Sequence, residues 1–122
     1  MFTQLVYNGG NVNLAGAPLS LTGATALQMR DTTLDGGTVN LNTGSGVVFD
    51  ATNNGTALLG PGLTLDLGGG TTTFTVNNGS AGPDMRIQGT VQSGTLTLGG
   101  GGGGILEFNS GVPQRLTRIN VD

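Results

Sequence analysis

Ser93-Gly-Thr-Leu-Thr-Leu-Gly-Gly-Gly-Gly-Gly-Gly-Ile-Leu-Glu-Phe-Asn-Ser-Gly111 sets two short apolar runs on either side of six consecutive glycines. Leu96 and Leu98 fall on one face of an extended strand and Thr95 and Thr97 on the other. A period of two with β-branched partners predicts a half-buried strand. Gly99 to Gly104 then lets the backbone turn without a Cβ clash. A second strand is predicted over Ile105 to Phe108.

Looser versions of this stretch recur. Gly37-Thr-Val-Asn-Leu41 matches Gly94-Thr-Leu-Thr-Leu98, and Val47-Val-Phe-Asp50 follows a Gly-rich link. Gly62-Leu-Thr-Leu-Asp-Leu67, Gly68-Gly-Gly70 and Thr71 to Val76 form another copy. Asn11-Val-Asn-Leu14, Gly16-Ala-Pro18 and Leu19-Ser-Leu21 form a fainter one. Val12, Val39, Leu63 and Leu96 are separated by 27, 24 and 33 residues. That spacing falls in the range of solenoid units, which bury their apolar face only by stacking. The widest interval holds an insertion, Asn77 to Asp84, and an extra strand, Met85 to Gln88. Short strands with frequent turns also suit an antiparallel sandwich or jelly roll. Strands of three to five residues, 4% aromatics and repeated sequence favour an all-β, short parallel β-solenoid.

The chain of 122 residues is one domain's worth, 1–122. Residues 1–10, with Phe2 to Tyr7 before a break at Asn8-Gly9-Gly10, are expected to form an N-terminal strand or arm. Ala24 to Leu34 lacks Gly and Pro and is read as strand. Residues 112–122 hold two of the four arginines and end with Leu116, Ile119 and Val121, which suggests a cap or contact arm.

Composition narrows the chemistry. A net charge of −3 and a pI near 4.4 leave no basic field for nucleic acid. There is no His, the commonest general base and metal ligand, and no Cys for thiolate chemistry, zinc knuckles or disulfides. The expectation is a protein that is not an enzyme and needs no cofactor or metal. Met1 to Tyr7 lacks a positive n-region and apolar core, so it is not read as a signal peptide, and a whole gene product of this sequence is expected to fold in the cytoplasm. No apolar run reaches the roughly 20 residues of a membrane span, and no membrane partner is expected.

The remaining motifs read as structural. Gly99 to Gly104 contains the pattern GxGxxG, but a strand pattern follows it where a phosphate loop needs a helix. Asn54-Gly-Thr56 and Asn78-Gly-Ser80 are formal glycosylation sequons in a chain rich in Asn, Gly and Thr. Asp31 with Asp35, or Asp50 with Asp66, could offer oxygen ligands to calcium, but calcium-loop spacing is missing. A glycosidase pair drawn from Asp50, Asp66 and Glu107 would need sugar-stacking aromatics, and the chain has no Trp and one Tyr. Arg115 and Arg118 stand out among few charges as candidate contacts to partner carboxylates.

At Gly94-Thr-Leu-Thr-Leu-Gly-Gly100 and Gly36-Gly-Thr-Val-Asn-Leu41 the sequence resembles the β-helix repeats of bacterial autotransporter passengers and filamentous haemagglutinins. That resemblance implies a right-handed β-helix and, as one function, an adhesin-type passenger segment at a bacterial cell surface or outside the cell. In size, Gly-rich β body and unlike terminal arms the whole chain resembles phage decoration or cement proteins and short fibre modules. This implies a non-catalytic structural protein of a virion surface that clamps neighbouring capsid subunits. Its partners would be a major capsid protein or other virion protein and, as a homotrimer, two further copies. The expected contact set is Phe2, Leu5, Tyr7, Arg115 and Arg118.

Overall fold

The computed structural model describes residues 5–23, 25–41, 46–49, 56–78, 83–99, 104–111 and 114–121. Its elements are all strands: β1 (Leu5–Asn13), β2 (Pro18–Leu21), β3 (Thr25–Asp35), β4 (Gly37–Leu41), β5 (Gly46–Phe49), β6 (Ala57–Leu59), β7 (Leu63–Asp66), β8 (Thr71–Val76), β9 (Met85–Ile87), β10 (Thr90–Gln92), β11 (Thr95–Leu98), β12 (Leu106–Phe108) and β13 (Arg118–Val121). Every strand pairing is parallel. A parallel neighbour cannot be reached by a hairpin, so each crossover is the rest of a coil. The protein is therefore a parallel β-solenoid, and the antiparallel sandwich and jelly roll are excluded.

Three walls enclose the core. The first stacks β1, β3, β5, β8, β11 and β13; the second carries the later halves of β1 and β3, then β6, β9 and β12. The third is β2, β4, β7 and β10, continued by a bridge from Gln92 to Arg115. Register partners lie from 20 residues apart, Leu27 to Val47, to 28 apart, Leu59 to Ile87. Alternation places one apolar row per inward position. Leu34, Leu59 and Ile87 stack on the second wall, and Val39, Leu65 and Val91 on the third, all buried. Each such side chain contributes about 1.5–3 kcal/mol by leaving water.

This stacking corrects the sequence repeats. Val12 lies on the second wall, Val39 and Leu63 on the third and Leu96 on the first, so only the interval from Val39 to Leu63 compares the same wall of neighbouring coils. Met85 to Ile87 is a regular rung of the second wall rather than an extra strand. Asn8-Gly9-Gly10 does not end the first strand: it is a corner inside β1, taken by Gly9 at φ 96°. Asp31 occupies the matching corner of β3 at φ 49°, a left-handed conformation that Asp tolerates better than most residues. Thr32 stitches the two corners together, accepting from the Gly9 N–H at 2.9 Å and donating to the Arg30 carbonyl at 2.6 Å.

In later coils the strands of the first and second walls are separate elements, β5 ending at Phe49 and β6 starting at Ala57, β8 at Val76 and β9 at Met85, β11 at Leu98 and β12 at Leu106. The glycine run falls in the last of these intervals. Gly99 N–H donates to the Phe74 carbonyl at 3.1 Å and Gly104 N–H to that of Val76 at 2.8 Å. Gly100 to Gly103, Asp50, Asn54 and Thr43 to Ser45 lie outside the described residues. Asp84, fully buried, clasps this link: its carboxylate accepts from Ile105 N–H at 2.9 Å, and its own N–H donates to the Ile105 carbonyl at 3.1 Å.

Thr72 is the exception inside the core. Its hydroxyl is buried without a hydrogen-bond partner in the row that continues to Leu96. Thr72→Val is expected to raise stability by about 1 kcal/mol, since it removes an unsatisfied polar atom while keeping the β-branched shape. Urea denaturation followed by circular dichroism would check this.

Candidate functional site

The first wall runs from β1 to β13 across four intervening strands, so its edges stand about 24 Å apart at the usual strand spacing. The expected contact residues divide between those edges. Leu5 and Tyr7 are in β1, opposite Leu27 and Met29 in backbone register, while Phe2 lies outside the described residues. Arg115 and Arg118 are exposed at the far end. They form two surfaces rather than one.

The end carrying β13 is the apolar one. Among the described residues the exposed large apolar ones are Val6, Ile105, Phe108, Ile119 and Val121, and all but Val6 lie at this end. Ile119 continues the row of Leu96 and is 47% exposed; Val121 continues the row of Leu98 and is 74% exposed. Phe108 ends the row of Ile87. Ile119 and Val121 fall in the segment read as a cap or contact arm, but none of these residues is in the expected contact set, because alternation marks them as inward and only the position of their rung leaves them uncovered.

Ser110 and Gln114 cap the third wall here. Gln114 uses its side-chain amide in place of a strand, accepting from Val91 N–H and donating to the Gly89 carbonyl, both at 2.8 Å. Ser110 donates to the Gln88 carbonyl at 3.0 Å. Residues 118–121 add a further rung to the first wall rather than an arm. Val112, Pro113 and Asp122 lie outside the described residues.

At the opposite end Val12, Leu14 and Leu19 pack against the core yet remain partly exposed. No charged residue occurs in 1–23.

Asp66 and Glu107 are not brought together, and the groupings with Asp50 lie outside the described residues. Asp66 stands on the third wall and Glu107 on the second, where Glu107 is held by Arg86 at 2.6 Å. Asp35 is engaged by the N–H groups of Gly36 and Gly62 at 2.8 and 2.7 Å. Among the described residues no group of three His, Cys, Asp or Glu side chains is placed to hold a metal ion. The glycine run leads into β12, a strand, so it lacks the helix of a phosphate loop. Asn78 is exposed, but Ser80 of its sequon lies outside the described residues.

Asp66 belongs to a polar ladder outside the third wall, with Asn40 and Gln92 as register partners. Partial burial pushes its carboxyl up, but Gly68 N–H at 2.9 Å, Gln92 Nε2 at 3.1 Å and Ser93 together hold it below the ordinary value. A lowered folded value stabilises the protein above the unfolded pKa, and that contribution is lost as pH falls through the folded one. The difference in urea midpoint between the wild type and Asp66→Asn is therefore expected to shrink as pH falls below about 4. A pH series of midpoints measures it.

No protein family, curated protein or solved structure matches the chain. The fold and its two ends therefore carry the functional reading by themselves.

Proposed function

We propose that the chain is a non-catalytic structural protein of a virion surface, a capsid decoration or cement protein that docks through an end of its solenoid. The observation that supports this is the apolar end. Phe108, Ile119 and Val121 lie uncovered beside Arg115 and Arg118 on a stiff stack of rungs. Apolar anchors rimmed by guanidinium groups suit a protein partner that supplies apolar and carboxylate side chains. Binding only the assembled partner would stabilise the assembly by mass action.

A second reading is favoured by the core rows left open at both ends, at Val12, Leu14 and Leu19 and at Ile119 and Val121. Such rows suit coils of an adhesin-type passenger. Gene order and co-sedimentation separate the two. The virion reading expects a major capsid gene beside this one and co-sedimentation with shells assembled from its product, weakened by Arg115→Glu with Arg118→Glu. An adjoining outer-membrane barrel, or a chain that stays in the supernatant, overturns it.

A further inference from the structure

The open rows also identify one partner by its chemistry. Among the described residues β13 pairs on one side, with β11, and β1 on one side, with β3. Among the described residues the other side of each is an edge with no strand partner, the feature that proteins ordinarily protect with charge, proline or a covering segment. The third wall is protected in that way by Gln114 and Ser110. β13 has no such cover among the described residues, and its inward residues Ile119 and Val121 are exposed.

We propose that a second copy of this chain stacks head to tail on this end, its β1 continuing the first wall beyond β13 in parallel. A suitable occupant must be a parallel rung with apolar residues at alternate positions. The chain's own first rung has that form: in the first-wall half of β1, Leu5 and Tyr7 are in backbone register with Leu27 and Met29. On the first wall the contact repeats the parallel pairing already made between neighbouring rungs. Charge decides the orientation. Joining two copies by their β13 ends would bring two Arg115 and two Arg118 together, whereas head-to-tail stacking sets those arginines against the charge-free segment 1–23. A head-to-tail contact either closes into a ring, such as a trimer, or extends into a filament.

This inference does not depend on a virion setting, and its test uses no capsid. Sedimentation velocity over a concentration series is expected to show the wild type above monomer mass. Val121→Lys, at a residue already 74% exposed, is expected to keep the circular dichroism of the wild type and weaken association at least tenfold. Leu5→Lys, altered in the first-wall half of β1, is also expected to be monomeric. A mixture of the two variants is expected to form dimers, because each retains the end that the other lacks. A wild type that stays monomeric throughout overturns the proposal. So does association that survives Val121→Lys, or a Leu5→Lys protein that dimerises alone. If Leu5→Lys does not fold, the comparison of wild type with Val121→Lys still decides the matter.

Discussion

Gly89→Val is expected to remove most of the folding stability of this domain. Gly89 immediately precedes β10, whose Thr90 is in register with Thr64, and a Cβ there would be driven against the Leu63 carbonyl oxygen and lie 2.6 Å from that of Gly60. Both obstacles are backbone, so no rotamer change relieves them. The rung must move away from its neighbour, breaking the ladder that makes the third wall. Gly89 is also held from the other side, because its carbonyl accepts from Gln114. Overpacking of this kind costs about 3 kcal/mol or more, against a total of roughly 5–15 kcal/mol for a domain. Urea denaturation would show a large fall in midpoint. Gly111→Ala is the control: a Cβ at Gly111 meets nothing within 4 Å. That substitution should change stability by less than about 0.5 kcal/mol.

Phe74→Ala is the second large effect. Phe74 is fully buried on the first wall, between Val47 and Leu98 in register. Removing its ring takes apolar surface from the core and leaves a cavity, which costs about 3–5 kcal/mol. A solenoid coil has no core of its own, so the vacancy weakens the rungs on both sides. At about 4 °C per kcal/mol, the melting temperature is expected to drop by more than about 10 °C. A thermal melt followed by far-ultraviolet circular dichroism measures it.

Much of the fold is legible in the alternation of single strands. Leu96 is buried while Thr95 and Thr97 are not, and Leu63, Leu65, Phe74 and Val76 are buried between half-buried or exposed neighbours. What alternation does not encode is the wall. All three walls ask for the same thing, apolar inward and short polar outward, so Gly37 to Leu41 on the third resembles Gly94 to Leu98 on the first. True stacking partners such as Phe74 and Leu98 differ in size and share only their inward position. Corners are equally hard to read. Asp31 bends β3 without a glycine or proline, inside a segment that composition presents as one straight strand.

The ends were partly legible. Arg115 and Arg118 stand out because charge is scarce elsewhere, whereas the exposure of Phe108, Ile119 and Val121 depends on which rungs lie outermost. Asp84 illustrates the same limit. It sits in a segment of turn-forming residues, yet its buried carboxylate pins the link to β12.

The central claim, a solenoid whose rungs stack in parallel, is tested most directly by introducing cysteine pairs into this cysteine-free chain. Thr64 and Thr90 are register partners on neighbouring rungs of the third wall, β7 and β10. Their Cα separation should be about 4.8 Å, within disulfide range. Thr73 is on the first wall instead. Under mild oxidation, thiol titration should show that Thr64→Cys with Thr90→Cys forms an intramolecular disulfide, while Thr64→Cys with Thr73→Cys keeps both thiols free. Free thiols in the first pair, or a disulfide in the second alone, would contradict the stacking described.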